Sequence, residues 1–405
     1  MLKIGVVGCG LQAATIAGYM GVYNDDYEVS VVVDIDFENA RSRMAQKQVR
    51  IAEDCRFYHT VEEFLAAPTQ LNGIIIGTYC ADHTEMACKL EVLGVPVYVE
   101  KPVAITVEQL RKLYNTFKNS KTPVEVSLPM RLCPLTQRAK VIIDSGLLGP
   151  VHQVIGYEDT PGEIYFSTWF RDAEKTGGMF MQKAVHDIDY MFYLAGGNPV
   201  QVCGMRTKHY YVGDKPYDLT CDQCPDAMTC PEGPCAAFRE RGHWNSVPEA
   251  LEKLSYTVTP DGLIRKKRYC VYSKDIAIED MGECIIKMDT GAHVAHSQNF
   301  IAQNHACRRG ARFCGSLGTL EIDFNNSELD FYSHRNRTQE HYVVDQGKLS
   351  HYGGDRELVA DFLRVMKTGE RPRTDLIYGN GIMSTMACLC ARDSADSCKY
   401  IDIEL

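Results

Sequence analysis

No apolar run approaches the ~18 residues that a membrane-spanning helix requires. The longest, such as Ile74 to Ile76 within Leu71 to Ala81, fall well short. The chain opens on Met1-Leu2-Lys3-Ile4-Gly5 without the pattern of a secretory leader, so a cytoplasmic protein is expected. Basic charge is also in short supply. The 43 Lys and Arg face 53 Asp and Glu, a formal net charge of −10, which speaks against nucleic acid and anionic membrane as partners. What remains is ordinary globular text: 405 residues, 45% hydrophobic and 24% charged, enough for two domains and unlike disordered, collagenous or coiled-coil chains. Cysteine is abundant instead. Seventeen, an odd number without a secretory leader, argue for reduced thiols and some metal ligation rather than a disulfide framework.

Leu2 to Val7 reads as a buried parallel strand and runs into Gly8-Cys9-Gly10-Leu11-Gln12-Ala13, with a helix following to about Met20. In that context G-x-G-x-x-A is a dinucleotide fingerprint. Gly8 permits the tight turn, Gly10 lets pyrophosphate approach the backbone, and Ala13 allows close helix packing, with Leu11 and Gln12 at the helix N-terminus that faces the phosphates. A second strand, Val29 to Val33, ends in Asp34, placed to bind the adenosine ribose diol; its charge favours NAD over NADP. A third strand over Gly73 to Gly77 leads into Thr78 to His83, both expected near the cofactor, and then a helix to Leu93. A fourth, Val95 to Val99, ends in Glu100-Lys101-Pro102. Strands alternating with helices imply a parallel, doubly wound α/β sheet with its ligand at the strand C-terminal ends, where Glu100 and Lys101 sit. Lys101 there would orient a substrate hydroxyl and stabilise developing alkoxide charge.

Glu100-Lys101-Pro102 after a nucleotide-binding half, then Arg131, then Ser145-Gly146-Leu147-Leu148-Gly149-Pro150, resembles the Gfo/Idh/MocA oxidoreductase family. Gly177 to Asp189 resembles its glycine-rich lead into a catalytic histidine helix, and Gly315 to Glu321 its late strand and turn. The resemblance implies an N-terminal Rossmann domain (1–124) and a C-terminal α/β domain (125–405). The open, mostly antiparallel sheet of the latter carries the substrate site on one face and commonly an oligomer interface on the other. It implies Lys101 as the lysine that holds the reacting hydroxyl and His186 as general base. Gln182 stands where many relatives carry an aspartate, and glutamine cannot accept a proton. Lys183, three residues before His186, lies one helical turn away and disfavours imidazolium. Asp187 or Asp189 is expected to cap or orient the helix. Arg131, Trp169 and Asn299 are expected against substrate, with Tyr165, Phe170 and Arg171 completing an aromatic and cationic wall.

Lys183-x-x-His186, a cysteine cluster about 35 residues on, and His351-Tyr352-Gly353-Gly354-Asp355 together resemble a subgroup that oxidises glycosides to 3-keto products, from which a partner enzyme can eliminate the aglycone. The cysteine cluster, Cys221, Cys224, Cys230 and Cys235, has C-x2-C-x5-C-x4-C spacing inside a polar insertion over about 213–268. Four soft ligands in so short a span suit one structural zinc or an iron–sulfur cluster. The other thirteen cysteines, Cys388 and Cys390 among them, read as small apolar residues. His293, His296 and Asn299 alternate faces on a strand and are not read as metal ligands.

These readings converge on an NAD-dependent, homo-oligomeric oxidoreductase that removes hydride from a ring carbon, at C3, of a small-molecule sugar or glycoside. The rivals are an inositol or free-sugar dehydrogenase, a redox-neutral NAD-dependent glycosidase, and a non-catalytic NAD-sensing protein.

Overall fold

The computed structural model describes residues 1–23, 26–227, 229–232, 256–259, 262–265, 268–347 and 350–405. Its first half alternates strand and helix: β1 (Leu2–Val7), α1 (Leu11–Tyr23), β2 (Tyr27–Val33), α2 (Phe37–Gln46), β3 (Ile51–Tyr58), α3 (Val61–Ala66), β4 (Gly73–Ile76), α4 (His83–Leu90), β5 (Val97–Val99), α5 (Val107–Phe117) and β6 (Val124–Val126). All six strands are parallel in the order β3-β2-β1-β4-β5-β6, the doubly wound dinucleotide-binding arrangement. Ile4, Val6, Val29, Val31, Val32 and Ile74 to Ile76 are buried, because helices cover both faces of such a sheet. The strand at the expected domain boundary, β6, pairs with β5 and completes this sheet. Its three residues, Val-Glu-Val, carry no mark of which sheet they join.

After the helices α6 (Pro129–Leu132) and α7 (Pro134–Asp144) comes β7 (Val151–Asp159). Short helical turns α8 (Glu163–Phe166) and α9 (Ala173–Thr176) lead to α10 (Val185–Ala195) and β8 (Pro199–Thr207). A hairpin of β9 (Tyr256–Thr259) and β10 (Gly262–Arg265) is followed by β11 (Met281–Met288), β12 (His293–Asn299), β13 (Arg308–Gly315), β14 (Gly318–Asp323), β15 (Glu328–Ser333) and β16 (Gln339–Val343). Two helices, Gly354–Thr368 and Gly381–Ser397, and β17 (Ile401–Asp402) end the chain.

The second sheet has nine strands in the order β16-β15-β14-β13-β7-β12-β11-β8-β17, antiparallel throughout except for the parallel β7–β12 pair. Burial alternates along β11, with Gly282, Cys284, Ile286 and Met288 turned in. That period-2 pattern puts one sheet face on the helices and leaves the other open. The covered face carries α10, and with it His186. The helix Gly354–Thr368 packs on α1 of the nucleotide-binding half. Among the described residues no helix is long and apolar enough to cross a membrane.

Candidate active site

The turn after β1 fits a dinucleotide. Gly8 has φ +74°, and a Cβ there would stand 2.5 Å from the Thr78 amide nitrogen. A Cβ on Gly77 would come within 2.6 Å of the Ala13 side chain, so the small residue at 13 is what allows β4 to close on α1. The Asp34 carboxylate accepts from the Cys9 N–H at 2.7 Å and the Asp36 N–H at 2.9 Å, which braces it against the glycine turn. Leu11 and Ile35 flank this cradle and are 57% and 82% exposed, an exposure that a bound dinucleotide would relieve. Ile35 was not anticipated, since an isolated apolar residue after a strand carries no signal. His83 Nδ1 lies 2.8 Å from the Pro102 carbonyl and Nε2 3.2 Å from that of Thr78, so it sits between the ends of β4 and β5, and its single N–H donates to one of the two carbonyls. Burial holds its imidazole down at about 4, hence neutral.

Lys101 follows β5 before a cis Pro102, and its ammonium donates to the Gln182 carbonyl at 2.6 Å. Burial, with the charge of Lys183 adding, lowers its pKa to about 8. Beside it Glu100 is buried and raised to about 8, first by desolvation and then by Asp355. Residues 180–184 form a wide π turn that feeds α10, an irregularity common at functional sites. There Gln182 spends its amide on Cys80 Sγ at 3.0 Å and the Thr176 carbonyl, holding the turn rather than facing substrate.

His186, 2% exposed, has an Nδ1 with no protein partner. Burial depresses its pKa well below the usual imidazole range, and the charges of Lys101 and His351 reinforce the shift. Lys183, whose ammonium lies 2.8 Å from Glu158, pushes in the same direction. Burial would lower the Lys183 pKa, but Glu158 outweighs it and holds the lysine charged. Arg309 grips Asp187 through two bonds of 2.8 and 2.9 Å and lies 3.9 Å from Glu158. Under α10 this gives a buried layer of two cations and two carboxylates.

The His186 ring is 5.0 Å from that of His351, whose Nδ1 sits 2.9 and 3.0 Å from the two Asp355 oxygens. His351 and Tyr352 both have positive φ, 46° and 55°, which non-glycine residues hold only where their surroundings insist. The sequence showed the His351–Asp355 motif but gave it no part in the site. Glu158 and Arg309 had no signal at all, being partners across 25 to 151 residues of chain.

Three expected contacts are corrected. Arg131 is buried against Asp189 through its Nε at 3.0 Å and also donates to the Gly379 carbonyl, which locks α6 to α10 and leaves it no fork for substrate. Asn299 closes a turn, accepting from the Ile301 and Ala302 amides and donating to Asp159. Arg171 faces inward between the rings of Tyr217 and Tyr269, donating to the carbonyls of Tyr217 and Cys270. Trp169 does reach the domain junction. It stacks on Phe170 at 4.2 Å and meets Tyr79 of the first domain edge-on at 5.0 Å.

The four-thiol site is not assembled as expected. Cys235 lies outside the described residues, and among the described residues no group of three or more His, Cys, Asp or Glu is arranged to hold a metal ion. Cys270, expected as apolar filler, instead lines a cavity together with Cys221, Cys224 and Cys230.

A profile described as an oxidoreductase family with an NAD-binding Rossmann fold matches residues 2–128, and one for the GFO/IDH/MocA C-terminal domain matches 136–230. The putative oxidoreductase YteT of Bacillus subtilis is 24% identical over 403 residues, covering 92% of this chain and 91% of its own. Inositol 2-dehydrogenase 2 of Saccharopolyspora erythraea is 27% identical over 202 residues, 48% of this chain and 54% of its own. Among solved structures, levoglucosan dehydrogenase in complex with NADH and levoglucosan superposes with a TM-score of 0.74 at 14% identity, covering 100% of both chains.

Proposed function

We propose, for a chain that belongs to the Gfo/Idh/MocA oxidoreductase family and carries its NAD-binding Rossmann fold, that the cleft oxidises a ring hydroxyl of a sugar or glycoside to a ketone, at C3. The observation that carries this reading is His186: buried, uncharged and with a free Nδ1, it stands near Lys101 at the C-terminal edge of the parallel sheet. The relatives named for inositol and levoglucosan oxidation support the substrate class. The motif from His351 to Asp355 supports the C3 position.

Bound NAD, cradled by Gly8, Gly10 and Asp34, would accept the hydride from the ring carbon. His186 takes the hydroxyl proton, which a neutral imidazole can do and an imidazolium cannot. Lys101 keeps its ammonium on the same oxygen and stabilises the charge that develops as the proton leaves. Lys183, held cationic by Glu158, adds positive field without exchanging a proton. Asp355 orients His351, which limits the rotation of the His186 ring. Trp169, Phe170 and Tyr79 offer ring faces to the C–H face of a pyranose.

Incubation with NAD and a panel of alkyl and aryl glucosides, free sugars and inositols should raise the absorbance of reduced cofactor, with glycosides the better substrates. Tight NAD binding without oxidation of any polyol would sink the reading. Release of sugar from a glycoside without accumulation of reduced cofactor would point to a redox-neutral glycosidase.

Lys101 supplies a pH signature. It acts as a cation with a pKa lowered to about 8, so kcat/KM should fall as pH rises through that value. Lys101→Arg should remove this alkaline limb, because guanidinium stays charged, and Lys101→Met should lower kcat by about 10²–10³-fold. An unchanged limb in Lys101→Arg would assign it to another group.

Two further parts of the reading concern assembly and support. The open face of the nine-stranded sheet exposes Ile155 on β7, Ile285 on β11 and Met205 on β8, and copies of the chain associate there. The cysteine-rich insertion holds a structural metal ion, which the oxidation itself does not use.

A further inference from the structure

We infer that the metal-binding thiols of the insertion are Cys221, Cys224, Cys230 and Cys270, with Cys270 taking the place that sequence spacing suggests for Cys235, and that they hold a single zinc-class ion. The inference rests on the structural-metal reading and names its ligands.

The four cysteines line one cavity of about 30 Å³. Four thiols around one small cavity suit a single tetrahedral ion. A short backbone ladder brings the distant cysteine in. Cys270 N–H donates to the Leu219 carbonyl at 2.8 Å, Cys221 N–H to that of Arg268 at 2.9 Å, and Thr220 bridges Tyr269 between them. Cys221 and Cys270 thereby flank one antiparallel bridge, although 49 residues apart in sequence. On the other side, Ala227 and Cys230 amides donate to the carbonyls of Cys224 and Asp226, a pair of turns that brings Cys224 and Cys230 back to the same cavity.

No three of these side chains stand as they would around an ion. Closure requires rotation of cysteine side chains about Cα–Cβ, a cheap change between staggered wells. On binding, each thiol releases a proton to solvent and donates a lone pair to the metal, with no change of oxidation state. A dication with four thiolates carries net negative charge, and the buried Arg171 guanidinium, 3.2 Å from the Cys270 carbonyl, offsets part of it. The same segment meets the substrate wall. Tyr269 N–H donates to the Ser167 carbonyl, two residues before Trp169, so the ion would staple the loop that presents Trp169 and Phe170.

The test is metal content of the full-length protein, purified reduced from zinc-supplemented cells and dialysed against a weak chelator. About one zinc per chain is expected for the unaltered protein and for Cys235→Ser, with at least ~10-fold lower occupancy in Cys270→Ser. Retention in Cys270→Ser with loss in Cys235→Ser would overturn the ligand assignment while leaving the metal reading in place. No stoichiometric metal in the unaltered protein would remove both. Iron with acid-labile sulfide would overturn the single-ion assignment. If Cys270→Ser does not fold, alkylation mapping of the unaltered protein decides: Cys270 should resist maleimide until zinc is stripped, whereas Cys235 reacts throughout. Equal reactivity of Cys270 before and after stripping overturns the proposal.

Discussion

His186→Asn should lower kcat by about 10²–10⁴-fold, the usual span for loss of a general base, and leave NAD affinity unchanged. Asparagine is close to imidazole in size and polarity, so α10 and its packing should survive. Its amide cannot accept a proton at any working pH. The expected phenotype is therefore an enzyme that binds cofactor, and substrate with little change, but does not turn over. Fluorescence titration with NAD and steady-state rates on the best glycoside separate the two quantities. A His186→Asn enzyme retaining more than about a tenth of the rate would assign the base elsewhere, with Lys101 the first alternative. A second expectation follows from the depressed imidazole. The unaltered enzyme should show no loss of activity near the ordinary histidine pKa on acidification, because His186 stays neutral well below it.

Arg309→Leu should be among the most destabilising substitutions in the second domain, by about 3–5 kcal/mol. The guanidinium is buried and bridges Asp187 and Glu158. Leucine of similar bulk would leave both carboxylates in a low-dielectric interior with only the Lys183 ammonium to share. The loss comes from uncompensated charge rather than from a cavity. Urea titration followed by near-ultraviolet circular dichroism would show a lowered midpoint, and Arg309→Lys should recover only part of it, since an ammonium cannot make both bonds to Asp187. A midpoint within experimental error of the unaltered protein would mean that the layer under α10 is wet and weakly coupled. The nucleotide-binding half contains neither partner, so NAD affinity gives an internal check that the variant is otherwise folded.

Much of the first half was legible because its signals are local. Leu2 to Val7, Gly8, Gly10, Ala13 and Asp34 lie in one strand–turn–helix–strand unit, and each residue type is demanded by the backbone geometry next to it. Lys101 and His186 were singled out through the family resemblance of the motifs around them, and their roles stand as proposed above. Arg131 and Asn299 were misplaced because a polar side chain near a motif looks the same whether it faces substrate or closes an ion pair. Burial decides that, and burial is set by elements such as α10 and the turn after β12 that arrive from elsewhere in the chain.

The division in this protein follows sequence separation. Periodicity and turn chemistry alone determined the α/β class, the parallel nucleotide-binding half and the dinucleotide cradle, because each depends on contacts within a few residues, whereas Lys101 and His186 came from the family resemblance. Only the tertiary structure decided that Glu158 and Arg309 tie down Lys183 and Asp187, that His351 and Asp355 stand behind His186, and that Cys270 faces Cys221, Cys224 and Cys230. Those pairings join residues tens to hundreds of positions apart. Their register is fixed by strand pairing and the closing of one core, and no local pattern records it.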